Sequence, residues 1–382
     1  MIDLPPIPDL HDPALAAAVQ ADLDDQTKPP GSLGRLEALA VHVALVQGRR
    51  RPSLEAPQLV VFAGDHGLAA RGVSAYPADV TRQMVANFLR GGAAVSVLAR
   101  QHGLAITVAD CGVRGSATGP AGDTPDPGTG TGTGTGKNTS RPPRADAGCT
   151  PRLMSLRVPG AEDGTADSST GPAMSTDQCR AALSHGRSLL AGLPGNVLLL
   201  GEMGIVNSSS AALLMARLAG LPLAECIGRG TGLDDAGLRR KQAVLQQVMD
   251  RHADVQGAFP LLAAMGGLEL AAMTGAVLQA AAERRLVVVD GFITTAAVAV
   301  AAALAPAVLQ RCVFSHRSAE SGHGRWLRQL GVEPLLELDL RLGEGSGAAL
   351  AWPLIESSVR LLDGMASFAS AGVSTATAAV AR

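Results

Sequence analysis

The chain has 382 residues, enough for one large α/β unit or for two domains. Hydrophobic residues make up 47% and aromatics only 2%, so a core must be packed from Leu, Val and Ala. A formal net charge of −2 gives no electrostatic bias toward nucleic acid or a membrane surface, and five scattered cysteines without a CxxC pair fit reduced, mostly buried thiols in a reducing compartment. Lysine occurs only at Lys28, Lys137 and Lys241, the other basic residues being arginine. The first twenty residues carry Asp3, Asp9 and Asp12 and have no apolar core, unlike a signal peptide, so the expectation is a soluble, cytoplasmic chain.

In chain order, Asp12–Asp24 and Leu33–Gln47 read as helices with no strand between them. Residues 1–50 are therefore expected to form a small helical domain with part of the C-terminal region (about 352–382), beside a large α/β domain over 51–351. Short β-branched or Leu-rich runs predict strands at Gln58–Ala63, Ala105–Ala109, Asn196–Leu200, Leu286–Val289, Cys312–Phe314 and Pro334–Leu338. Helical patterns cover Ala78–His102, Thr176–Leu193, Ser208–Leu218, Leu238–His252, Gly267–Ala282 and Ala348–Leu362. Strands alternating with helices imply right-handed crossovers and a mostly parallel sheet with helices on both faces. Ser116–Thr150, with its Gly-Thr repeat and prolines, has almost nothing to bury and is expected to be a disordered low-complexity insertion (116–150). Phe292–Leu309 is apolar but mostly Ala, with Thr294, Thr295 and Pro306, and reads as a buried helix and not a membrane span.

The polar residues with chemical potential follow the predicted strands. They are Gly64-Asp65-His66-Gly67, Gly201-Glu202-Met203-Gly204, Asp290-Gly291-Phe292, Ser315-His316-Arg317-Ser318 and Gly343-Glu344-Gly345. Ligands of an open parallel sheet bind beyond the carboxyl ends of its strands, so five such loops argue for one composite site. Glu344, a lone carboxylate among Gly343, Gly345 and Gly347 just before a helix, suits a general base acting on a bound ligand. The turn at Gly201 leads into a helix that Asn207 or Ser208 would cap; it is either a phosphate cradle or an ordinary capped turn. Gly228-Arg229-Gly230 precedes a helix bearing Lys241; Arg229 or Lys241 would pair with a phosphate or carboxylate, unless both belong to a solvated face. No Walker A sequence and no GxGxxG after a strand is present, which argues against ATP hydrolysis and dinucleotide binding. Asp290-Gly291-Phe292-Ile293-Thr294-Thr295 is weakly similar to the diphosphate-ribose loop of type I phosphoribosyltransferases and leaves a sugar-phosphate site open. His316, Glu320 and His323 lack metal-ligand spacing, so hydrogen-bonding roles and no metal are expected; His66 beside Asp65 reads as a structural loop histidine.

Taken in order, Thr27-Lys28-Pro29-Pro30-Gly31-Ser32-Leu33-Gly34, the GDHG loop at Gly64, Gln83-Met84-Val85, the GEMGI loop at Gly201, GRGTGLDD at Gly228, DGFI at Asp290, SHRSAESGH at Ser315 and RLGEGSGA at Arg341 form a series. This series resembles the nicotinate-nucleotide–dimethylbenzimidazole phosphoribosyltransferase family of cobalamin nucleotide-loop assembly, over nearly the whole chain except Ser116–Thr150. The resemblance implies a Rossmann-like large domain with a small helical one, a homodimer, small-molecule substrates and no cofactor. It implies transfer of 5-phosphoribose from nicotinate mononucleotide to 5,6-dimethylbenzimidazole with inversion, giving α-ribazole 5′-phosphate and nicotinate. Glu344 matches the family's general base, Glu202 its second acid and Lys241 its lysine.

On the same footing, Ser74, Tyr76, Gln83, Met84 and Leu342 are expected around the flat acceptor. Gly204, Asn207, Ser208, Arg229, Gly230, Ser315 and His316 are expected near the phosphate, with Asp290, Gly291 and Phe292 also in the substrate site. Val206 departs from the family's usual GEMGIGN; if the position needs positive φ, valine there is strained. A transferase with another base or a phenolic acceptor, and a non-catalytic nucleotide-binding protein, are the alternatives.

Overall fold

The structure is a computed structural model that describes residues 4–115, 150–230 and 232–374. The expected insertion over 116–150 lies outside the described residues except for Thr150, as do Cys149 and the last eight residues of the expected C-terminal helical region.

Among the described residues six strands form one sheet: β1 Gln58–Ala63, β2 Ala105–Asp110, β3 Arg152–Ser155, β4 Val197–Met203, β5 Leu286–Val289 and β6 Cys312–Phe314. Their order is β3-β2-β1-β4-β5-β6, and every pairing is parallel. The chain winds outward from β1 to one edge and then from β4 to the other. The topological switch point therefore lies between β1 and β4, where a crevice opens beyond the strand ends. In that pair Phe62 stands opposite Glu202 and Ala63 opposite Met203.

The strands read as unbroken apolar runs because both faces are covered, and the two-residue period sorts their side chains. Val60, Phe62, Leu198, Leu200, Val287 and Val289 point to one core, shared with the helices Thr176–Ala191, Asn207–Ala219, Leu268–Ala282 and Phe292–Leu304. Leu59, Val61, Ala63, Leu199 and Val288 point to the other, shared with Arg35–Gln47, Val80–Leu89, Ala94–His102 and Ser346–Gly364. A third, small cluster joins Val19 and Leu23 to Ala40, Ala44 and Leu362, tying the N-terminal helices to the end of Ser346–Gly364. The Lys28 ammonium is buried there, 2.9 Å from Glu37 and 2.8 Å from the Leu23 carbonyl.

Four expectations change. The helical stretch Ala78–His102 is two helices, broken at Gly91-Gly92, where Gly91 takes φ +75°. Phe292–Leu309 ends as an α-helix at Leu304, because Pro306 cannot continue it, and passes into a 3-10 turn Pro306–Arg311. Pro334–Leu338 is not a strand. Only an isolated bridge joins Leu336 to His316, since Pro334 has no N–H and β6 beside it is three residues long. The edge strand β3 is short and half-exposed, with Arg152 and Ser155 outward, so it carries no apolar run to announce it. Among the described residues no helix is long and apolar enough to cross a membrane.

Candidate active site

The crevice at the switch point is built from two strand ends and one helix start. β4 ends on Glu202 and Met203, and the carbonyl of Met203 accepts the Gly64 N–H from the loop after β1 at 3.0 Å. Glu202 is buried, and Asn207, at the start of the next helix, donates its side-chain amide to Glu202 Oε2. Glu344 lies in Gly343-Glu344-Gly345, three successive residues at φ +79°, +65° and +88°. Two glycines make that path inexpensive, and the loop presses close enough to β4 that a Cβ on Gly201 would stand 2.5 Å from the Glu344 carbonyl.

Asp290, at the end of β5, holds this loop in place. Its Oδ1 accepts the N–H groups of Gly347 (2.7 Å) and Ala348 (3.0 Å), and its Oδ2 that of Gly345 (3.2 Å). A protein carboxylate thus fills the start of the helix Ser346–Gly364, in the place of an anionic ligand. The start of Asn207–Ala219 is different: Val206 precedes it, and no side chain caps it. Backbone carbonyls already take the N–H groups of Asn207 (Gly204, 3.2 Å) and Ser209 (Val206, 2.7 Å), which leaves that of Ser208 open to an anion.

Val206 has φ +83° and ψ −7°, so the strain anticipated for a β-branched residue is present. Val206→Gly is expected to change unfolding free energy by less than about 1 kcal/mol, because relief of roughly 1–2 kcal/mol of strain offsets most of the lost burial. Val60→Gly, in unstrained β1, should cost about 3 kcal/mol or more. Urea melts of both variants decide the point; equal losses would show that position 206 stores no strain.

A cavity of about 480 Å³ collects these elements. Glu202, Gly204, Asn207, Ser208, Arg229, Gly230, Lys241 and Glu344 line its polar side, and Ser74, Tyr76, Met84 and Leu342 lie among the residues of its apolar side.

A family model described as Phosphoribosyltransferase matches residues 9–373. The chain is 57% identical over 371 residues to a nicotinate-nucleotide–dimethylbenzimidazole phosphoribosyltransferase of Variovorax paradoxus (strain S110), covering 97% of each chain. It is 51% identical over 368 residues to the protein of that name from Cupriavidus necator, covering 96% of this chain and 97% of that one. The chain belongs to the phosphoribosyltransferase family. Its fold superimposes on the crystal structure of CobT from Thermus thermophilus with a TM-score of 0.80 and 39% identity, over 95% of this chain and 99% of that one.

Burial controls the charge of the groups that line this cavity. It pushes Glu344 up to about 7, helped by the nearby Asp290 carboxylate. Glu202 is pushed up to about 8 by burial against Asp290, Glu269 and Glu344, in spite of the Asn207 hydrogen bond. Lys241 is 2% exposed, and burial draws it down to about 8. Its Nζ donates to Ser208 Oγ (3.2 Å) and the Gly228 carbonyl (3.3 Å), so its hydrogen bonds run to those groups and not to Glu202. Arg229 lines the cavity, but its guanidinium is bonded to the Leu233 carbonyl and to Asp235.

Six expected substrate residues do not line the cavity of this phosphoribosyltransferase-family chain. Gln83 turns to Asp79 at 2.9 Å. Asp290 supports the glutamate loop as described. Ser315 Oγ donates to the Asp290 carbonyl at 3.0 Å, and His316 Nε2 lies 3.6 Å from Asp290 Oδ1, so both stand behind that carboxylate. Gly291 and Phe292 begin the helix beside them, Phe292 packing edge-on against Trp326. His323 accepts the Ser318 N–H at 2.8 Å and meets Thr295 Oγ1 at 3.0 Å; burial draws it down to about 3, so it stays neutral. His66 is also structural: it bonds Glu269 at 2.8 Å and Ser210 at 3.2 Å, fully enclosed.

The cavity also holds residues that the sequence does not assign to it: Glu320, Arg341, Ile293, Val73, Val80 and Ile205. Glu320 is named in sequence as a candidate metal ligand and lies in the SHRSAESGH stretch after β6, which is the available signal.

Proposed function

We propose that this chain transfers 5-phosphoribose from nicotinate mononucleotide to 5,6-dimethylbenzimidazole, releasing nicotinate and α-ribazole 5′-phosphate for cobalamin synthesis. The observation that carries the reading is the pairing of Glu344 and Glu202 across one cavity that also contains an uncapped helix start, in a chain so similar to enzymes of that name.

The donor's phosphate takes the Ser208 N–H at the start of Asn207–Ala219, with the Ser208 hydroxyl, Gly230 and Lys241 beside it. The acceptor ring takes the apolar wall of Val80, Met84, Ile205 and Leu342. One ring nitrogen attacks C1′ of the ribose from the face opposite nicotinate. The bond from C1′ to the pyridinium nitrogen breaks, and its electron pair stays on that nitrogen. Glu344 takes the proton from the acceptor's other nitrogen, which prevents a cationic product. A carboxyl group held near 7 suits that task, since it is ionised in useful amount and still basic enough to accept. Glu202, once ionised, opposes the positive charge that develops on ribose. The positively charged pyridinium of the donor favours that ionisation as it binds.

The direct test incubates purified protein with nicotinate mononucleotide. Nicotinate should appear only when a benzimidazole is added, and the new nucleotide should have the α configuration. Release of nicotinate at the same rate without acceptor would make the protein a hydrolase and overturn the reading. The reading includes a cytoplasmic homodimer. Its support is the apolar pair at the cavity mouth, Tyr76 and Leu342, which are 52% and 57% exposed in the single chain and suit cover by a second copy. Sedimentation equilibrium giving only the 38.7 kDa monomer would remove it.

A further inference from the structure

Lys241 and Glu320 come from distant elements and meet at one glycine. Lys241 projects from the helix Asp235–Arg251 and bonds the Gly228 carbonyl. Glu320, in the loop after β6, places Oε2 in the space that a Cβ on Gly228 would occupy. Both side chains line the cavity. An ammonium has three donors, and two of Lys241's are committed to Ser208 and Gly228, leaving one for a ligand.

We propose that Glu320 is a positioning residue for the donor: its carboxylate keeps the buried Lys241 ammonium charged beside the Gly228–Gly230 turn, and the third N–H of that ammonium binds the phosphate of nicotinate mononucleotide. This rests on the reading of the donor given above. The charges around Lys241 support it. Burial lowers the pKa of Lys241, and Glu320 is the anion that opposes this; in return Lys241 and Arg341 offset the burial that raises Glu320. The other charged neighbours are engaged or directed elsewhere. Arg229 is tied to Asp235, Arg240 bonds the Gly72 carbonyl, Asp234 caps its own helix at Gly237, and Glu202 accepts from Asn207. Arg341 also acts on Glu320 and lines the same cavity, but as a cation it cannot take the place of the Glu320 carboxylate beside Lys241.

The scarcity of lysine makes the idea measurable. Protein labelled with 13Cε-lysine contains three such residues, assigned by Lys28→Arg and Lys137→Arg variants. In Glu320→Gln, the Lys241 resonance should titrate about one pH unit lower than in the unaltered chain, while Lys28, locked to Glu37, keeps its shift and reports an intact fold. The KM for nicotinate mononucleotide should then rise about fivefold at pH 8 and by less than about twofold at pH 6, because the ammonium is charged in both proteins at the lower pH. The KM for dimethylbenzimidazole should stay constant, and Glu320→Asp should recover most of the donor KM. An unchanged Lys241 titration overturns the proposal, as does a donor KM that rises equally at both pH values or together with the acceptor KM. Failure of the donor reading looks different: the unaltered protein itself would not consume nicotinate mononucleotide.

Discussion

Glu344→Gln is expected to lower kcat by about two to four orders of magnitude, the usual span for a general base, while the KM of each substrate moves little. The amide keeps the shape of the side chain but cannot take the benzimidazole proton. In the unaltered protein kcat at saturating donor, where the bound pyridinium already favours an ionised Glu202, should fall about tenfold per pH unit below the Glu344 midpoint near 7, since only the ionised form accepts. The variant's residual rate should lack that acid limb. Stability should move the other way. Glu344 has a higher pKa folded than unfolded, so the native chain binds the extra proton between about 4.5 and 7. Its stability therefore declines as pH rises through that window and stays lower above it. Gln has no such term. Glu344→Gln should match the unaltered protein near pH 4 and exceed it by roughly 1–3 kcal/mol at pH 8. Chemical melts at the two pH values, beside initial rates, separate a lost base from a damaged fold. Full activity in the variant would remove Glu344 from the mechanism.

The sheet is readable in the sequence where burial is complete on both sides. In β5, and in β1 after Gln58, each side chain meets a core, so the apolar run and the observed strand coincide at Gln58–Ala63 and Leu286–Val289. Where burial is partial the pattern fails. β3 carries Arg152 and Ser155 outward and has no run, whereas Pro334–Leu338 has a run but only the end of a three-residue strand to pair with. The site divides in a similar way. Glu202, Lys241 and Glu344 stand out in sequence as polar groups in glycine-rich loops or as a rare residue type, and they share a cavity. Asp290 stands out for the same reason, yet its oxygens are taken by three backbone N–H groups, one in the Glu344 loop and two in the first turn of the helix Ser346–Gly364. Sequence reports that a carboxylate ends a strand; it does not report whether the partner is a ligand or a helix start. Glu320 illustrates the converse, because its relation to Lys241 depends on two loops meeting at Gly228.

Gly201→Ala should lower kcat by about a hundredfold or more, although residue 201 contributes no reacting group. The argument is one of space. Gly201 lies within β4 opposite Val61, and the added methyl would stand 2.5 Å from the Glu344 carbonyl and 3.0 Å from the Gly345 nitrogen. Both contacts are with backbone, so no rotamer change relieves them. β4 is pinned by β1 and β5 on either side, whereas the Glu344 loop is attached to the sheet chiefly through Asp290. The loop is therefore the part that moves, and a shift near 1 Å at a general base is enough for a loss of this size. Donor binding at the start of Asn207–Ala219 should persist, so calorimetry should show near-normal affinity for nicotinate mononucleotide in a protein that barely turns over. Gly171→Ala is the control, because a Cβ there meets nothing within 4 Å. If Gly201→Ala retains full kcat, either the loop absorbs the methyl without displacing Glu344 or the reaction tolerates a displaced base; a crystal structure of the variant distinguishes them by the position of the Glu344 carboxylate relative to Glu202.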